Sequence, residues 1–155
     1  MATTVGLYGN LTSVLHELIE LDYDAVEAYR AAIDRLTDAT AKAALTEFMA
    51  DHRRHINELG VRLSAMGSEP PRGPDAKRIL TQGKVVIAGL FGDQAVLRAM
   101  KSNEDDTNTA YERVAARSDL TLELQALLRR NLDDERRHRA WIVNALRTWP
   151  TEARP

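Results

Sequence analysis

The chain contains no cysteine, which excludes both a disulfide framework and any thiolate metal or redox site. Charge of one sign is also lacking. Twenty-one basic residues face 23 acidic ones, and the formal net charge is -2. So small an imbalance removes the long-range attraction on which nucleic-acid and anionic-membrane binding depend. Long hydrophobic runs are missing as well. The longest, VVIAGLFG from Val85 to Gly92, falls far short of the roughly 20 apolar residues that span a bilayer. The opening residues, MATTVGLYGNLTSV, show neither the basic start nor the apolar stretch of a secretory signal. These absences lead us to expect a cytoplasmic protein that partners neither membrane nor nucleic acid.

What is present is an ordinary globular mixture, with 155 residues of which 44% are hydrophobic and 28% charged. That length suits one domain over residues 1–155, with a core from about Leu11 to Arg147. Apolar residues recur at helical spacing almost throughout, and no segment alternates as a half-buried strand does. The first helix is expected from Leu11 to Leu36, capped by Asn10 or Thr12, with its seam through Leu15, Leu18, Val26, Tyr29 and Ile33. After the short link TDAT, the second runs from Ala41 to Met66 through Leu45, Phe48, Leu59 and Leu63, and Gly67 stands at the left-handed C′ position. SEPPRGPD, Ser68 to Asp75, is the only Pro/Gly break, and a shorter helix is expected over 76–90. Asp93 is expected to cap a third main helix, Gln94 to Arg117, with Leu97, Met100, Tyr111 and Val114 inward. Ser118 or Asp119 should cap the fourth, which reaches Arg147 through Leu120, Leu124, Leu128, Ile142 and Leu146. The fold class is therefore all-α, a four-helix bundle. The connection between the second and third helices is far longer than the others, as a crossover joining parallel neighbours requires.

Ionisable residues interrupt each apolar seam near its middle. Asp22 lies on the stripe of the first helix, His52 and His55 on the second, Glu104 on the third, and Glu135 and His138 on the fourth. An i, i+3 pair puts two side chains on one helix face. A buried carboxylate or imidazole without a partner costs several kcal/mol or loses its charge. Three acids and three histidines at one level relieve that cost best around a divalent cation, which holds carboxylate oxygens and neutral imidazoles together. The arrangement also repeats. Asp22 and Tyr29 are seven residues apart, as are Glu104 and Tyr111, and the step to the paired position is 30 in one half and 31 in the other. MADHRRHINEL and LDDERRHRAWI then share the lettering R-R-H. Two hairpins with matched spacing would meet about a pseudo-two-fold axis.

On these residues the chain, from about Leu11 to Leu146, resembles the ferritin-like superfamily, which includes bacterioferritins and rubrerythrins. Its pattern is one acid on each of two helices and Glu-x-x-His on each of the other two. LIELDYDAVEAYRAAIDRL and KSNEDDTNTAYERV resemble an uncharacterised bacterial family of such bundles. The resemblance implies a ferritin-like four-helix bundle with the long crossover, binding one or two iron ions, with zinc or manganese as alternatives. It also implies ferroxidase-like or peroxide-consuming redox activity. Glu104 matches the third-helix acid, Glu135 and His138 the fourth-helix pair, and His55 the second-helix histidine. Asp22 stands where Glu is usual. His52 stands where the family places a metal-bridging Glu, which favours a single metal, a mixed pair or zinc.

Other polar residues read differently. Tyr29 and Tyr111 could be catalytic, lining a redox site, or core tyrosines with satisfied hydroxyls. Arg53, Arg54, Arg136 and Arg137 read as solvated charges pairing with Glu47, Asp51, Asp133 or Asp134. His16 is surface, and Glu20 and Glu27 point away from Asp22. Gly89 to Gly92 follows no strand, so it is no phosphate loop. No extra helix follows Arg147 to build a cage, and a homodimer is the expected assembly. The alternative to metal chemistry is a non-catalytic structural or interaction bundle that keeps its buried layer as a hydrogen-bonded network.

Overall fold

The computed structural model describes residues 3–74, 87 and 89–150, and every long regular element among them is a helix. These are α1 (Leu11–Arg35), α2 (Ala39–Ala65), α3 (Asp93–Ala115) and α4 (Leu122–Thr148). The short helix expected over 76–90 falls largely on residues outside those described. No helix among the described residues is long and apolar enough to cross a membrane.

Cross-bundle pairs reveal the helix directions. Tyr29 reaches Glu104 while Tyr111 reaches Asp22, so numbers rise along α1 as they fall along α3. Arg54 with Asp134 and Arg130 with Glu58 show the same for α2 against α4. The short link between Arg35 and Ala39 makes α1 and α2 antiparallel. It follows that α2 and α3 point the same way, which the long crossover permits and a short loop would not.

Caps set the helix ends, and several differ from expectation. Asn10 Oδ1 accepts from the Ser13 amide at 2.9 Å, as expected of an N-cap. The second helix starts earlier than Ala41, because Asp38 Oδ1 accepts from the Ala41 amide at 2.7 Å and carries the start back to Ala39. It ends in a Schellman motif. Gly67, at φ +80°, donates to Ser64 O at 3.0 Å and Ser68 to Leu63 O at 3.2 Å. Met66 is therefore a cap residue, 42% exposed, and leaves the seam. Asp93 does not cap its own helix. Gly92 is the N-cap of α3, and the Asp93 carboxylate instead accepts from the Thr37 and Asp38 amides at 2.8 and 2.7 Å, pinning the α1–α2 corner. Thr121, not Ser118 or Asp119, caps α4 by accepting from the Leu124 amide at 3.2 Å.

The core is divided in two. One apolar cluster gathers Leu15, Leu18, Leu59, Leu63, Val114 and Leu128, and another gathers Ala32, Leu45, Phe48, Leu97, Met100 and Ile142. Val5, ahead of α1, is wholly buried in the first, and Arg113 holds its strand of chain by donating to Thr3 O at 2.6 Å. Between the two clusters lies a layer of buried polar side chains, positioned by the midpoints of all four helices.

Candidate metal centre

Asp22, His52, His55, Glu104, Glu135 and His138 are each no more than 1% exposed. The structure brings all six together. Donor atoms of Asp22, His52, His55 and Glu135 lie within 4.8 Å of one another, and so do those of His52, Glu104, Glu135 and His138. Either group could hold a metal ion, and His52 and Glu135 belong to both. Glu20 and Glu27 lie elsewhere, beside His16 and Arg30 respectively.

The two halves exchange their tyrosines. Tyr111 donates to Asp22 Oδ2 at 2.6 Å, and Tyr29 donates to Glu104 Oε1. Each hydroxyl thus orients the carboxylate of the opposite half, as matched spacing about a pseudo-two-fold axis requires. Burial, then the adjacent carboxylates, hold both phenols well above their usual pKa, so they stay protonated donors.

A second ring of acids surrounds the histidines, and sequence reasoning assigned it no role at the site. Asp134 Oδ2 lies 3.1 Å from His55 Nε2, and Asp51 Oδ2 lies 2.9 Å from His138 Nε2. Each acid directly precedes the paired residues of one helix and reaches the terminal histidine of the other. The signal was in the repeat itself, D-H-R-R-H from Asp51 and D-E-R-R-H from Asp134. Arg54 and Arg137 close this ring from outside. Arg54 bonds Asp51 at 2.8 Å and also Asp134, while Arg137 bonds Asp51 and lies 3.3 Å from Asp134. These two arginines are half-exposed and belong to the shell of the site, whereas Arg53 and Arg136 are solvated as expected. Both aspartates are nevertheless held below the ordinary carboxylate pKa. Partial burial pushes them up, and the hydrogen bonds to His138 and His55 together with the neighbouring positive charges, Arg54 among them, more than offset it.

Several buried atoms have no hydrogen-bond partner, and they converge. They include His52 Nε2, His55 Nδ1, His138 Nδ1 and both oxygens of Glu135. With Asp51 and Asp134 accepting from the outer nitrogens, the inner nitrogens of His138 and His55 face the layer. A carboxylate behind a histidine is the usual support of a metal-bound imidazole, because it sets the tautomer and ring orientation. Imidazole and carboxylate donors without thiolate suit iron, manganese or zinc. The residues therefore fit a divalent metal.

Without such an ion, protons balance the layer. Burial lowers the affinity of His52 for its proton, but Glu135, Asp22 and Glu104 reverse this and raise its pKa well above normal. His55 is likewise raised, to about 10, where burial is overcome by Asp134, Asp22 and Glu135. His138 moves the other way, to about 4, through burial and the neighbouring His52 charge. Burial raises Glu135, whereas Asp22 is lowered because His52 and His55 outweigh its burial.

Comparison with known proteins yields a family and a fold. The family model described as a domain of unknown function, DUF2383, matches residues 10–117, more than half of the chain. The crystal structure of a conserved hypothetical protein, rv2844, from Mycobacterium tuberculosis is similar, with a TM-score of 0.75 at 18% identity. The match covers 94% of this chain and 96% of that one. At that identity the likeness concerns the fold alone. No curated protein matches the sequence.

Proposed function

The chain belongs to the DUF2383 family, and from that premise we propose that it is a ferritin-like bundle that binds divalent metal, iron by preference, in its buried polar layer. The observation that carries this reading is the convergence of unpartnered inner atoms on three histidines and Glu135, with Asp51 and Asp134 supporting two of those histidines from behind. Five buried polar atoms left without partners would cost several kcal/mol in a layer meant only for stability. Metal coordination removes that cost. Iron bound there would supply one-electron redox chemistry toward oxygen or peroxide. The chain's own contributions are to bind and to shield. Tyr29 and Tyr111 orient Glu104 and Asp22, and the apolar clusters on either side keep bulk water out.

The test is metal content after anaerobic loading with ferrous iron and desalting, on the wild type and Glu135→Ala together. One or two irons per chain, lost in the variant, support the reading. No retained metal in the wild type refutes it.

A second reading is favoured by one feature of the layer. Asp22 accepts from both Tyr111 and His52, and Glu104 accepts from Tyr29, so part of the layer is already a closed hydrogen-bonded network. In that case the domain is a structural or interaction bundle. Replacing Glu135 by Leu would then be tolerated, as happens when some buried ionic groups are replaced by apolar ones.

A further inference from the structure

We propose that the core holds a single divalent ion, ligated by His52 Nε2, Glu104, Glu135 and His138 Nδ1, with Asp22 and Asp51 as positioning residues rather than ligands. This rests on the metal-binding reading above and specifies its stoichiometry and ligand set.

The two candidate pockets share His52, but they meet different edges of its ring. His52 Nδ1 is 2.9 Å from Asp22 Oδ1 and spends its proton there. Nε2 is then the nitrogen left to ligate once His52 is neutral. It has no hydrogen-bond partner and lies 3.7 Å from Glu104 Oε1, on the His138 side. His138 presents Nδ1 3.9 Å from Glu104 Oε2, also without a hydrogen-bond partner, while its Nε2 is held by Asp51. Both imidazoles on this side thus have one nitrogen fixed by a carboxylate and the other free, the arrangement that prepares histidine for a metal. Glu135 adds two oxygens without partners.

The other pocket meets His52 at Nδ1, the nitrogen already bonded to Asp22. Both oxygens of Asp22 are engaged, Oδ2 by the Tyr111 hydroxyl and Oδ1 by His52 Nδ1. Ligation by His52 there would have to break the Asp22–His52 bond, and the aspartate arm is one methylene shorter than the glutamate usual in the ferritin-like pattern. His55 Nδ1 lies 3.3 Å from Glu135 Oε1 and 3.7 Å from Asp22 Oδ1, within ion-pair distance of both carboxylates.

Charge agrees with geometry. The ferritin-like pattern opposes the four charges of two divalent ions with four carboxylates. This layer has three, Asp22, Glu104 and Glu135. The two charges of one divalent ion stay within what three carboxylates offset, whereas two ions would leave an excess positive charge in a water-poor core.

The experiment is an anaerobic equilibrium titration of the full-length apo-protein with Co2+, followed by ligand-field absorption and by thermal shift. Wild type should bind one ion per chain. Affinity should fall more than 100-fold in Glu104→Gln and His138→Gln and stay within about fivefold of wild type in His55→Gln. Asp22→Asn should still bind one ion, weakened about 10- to 100-fold, with an altered ligand-field spectrum that a purely structural role would leave unchanged. His52→Glu, which restores a fourth carboxylate, should raise the count to two. Two ions in the wild type overturn the assignment and leave metal binding intact. So does loss of binding in His55→Gln with retention in His138→Gln. No binding in the wild type overturns this inference and the proposed function together. Circular dichroism verifies that each variant is folded, and the wild-type count decides stoichiometry even where a variant is not.

Discussion

Removing the Tyr111 hydroxyl isolates one bond of the buried layer. In Tyr111→Phe the ring stays in its apolar surroundings and the 2.6 Å bond to Asp22 Oδ2 is lost. Both groups are fully buried, so no water replaces the donor without rearrangement. A hydrogen bond to a charged acceptor contributes about 1.5–3 kcal/mol, and here the full value applies because Asp22 is held ionised. We expect the metal-free protein to lose about 2 kcal/mol. For a chain of 155 residues that lowers Tm by about 4–8 °C. The assay is urea unfolding of chelator-treated protein followed by helical ellipticity, comparing midpoints at constant slope. Tyr29→Phe, which strips the mirror-related bond to Glu104, should cost a similar amount. The pair should be non-additive by about 0.5 kcal/mol or more, because Asp22 and Glu104 both face His52, at 2.9 and 3.7 Å. A loss below about 0.5 kcal/mol in Tyr111→Phe, with an unchanged slope, would refute the view that the tyrosines hold the layer together.

Three further outcomes follow from the same geometry. Asp51→Asn removes the acceptor behind His138 and should weaken metal binding about 10- to 100-fold, read by calorimetry, while Asp134→Asn, behind His55, should weaken it less. Metal loading at pH 7 should release protons into a weakly buffered dye solution. His52, with its raised pKa, is protonated before loading and must be neutral to ligate, so affinity should increase from pH 6 to pH 8, and a pH-independent affinity would contradict this. Asp93→Ala should cost about 1 kcal/mol at pH 6, the size of a lost capping bond. Burial raises the Asp93 pKa somewhat, but the Thr37 and Asp38 amides bring it below normal. The stabilisation is therefore complete above the unfolded value of about 3.9 and is lost as pH falls through the lower folded value. The gap between wild-type and variant urea midpoints should narrow as pH is lowered toward 3.

The four helices, their inward stripes and the six ionisable residues at their midpoints could be read from the amino-acid order alone. Helical periodicity is a local property, and a charge that interrupts an apolar stripe is visible wherever the stripe is. The long crossover likewise implied that α2 and α3 run parallel, because chain length limits topology directly. Helix ends were less legible. Asp93 has the composition of a cap, but its carboxylate is used by the amides of Thr37 and Asp38, more than fifty residues away, and no local rule registers that competition. Asp51 and Asp134 stood in plain view as flanking acids of the repeated R-R-H run. Their role depends on α2 and α4 packing antiparallel in a register that sets each acid against the histidine of the other helix. The difference between the two pockets is also tertiary. Nothing in the order of residues says which nitrogen of His52 is free. Asp22 decides it, from a different helix, by accepting at Nδ1 and leaving Nε2 toward Glu104 and His138. Composition and spacing determined which side chains enter the core, because burial follows the stripe. Packing between helices decided which of their atoms are left without a partner, because a hydrogen bond uses up a lone pair or a proton only where a partner is within reach.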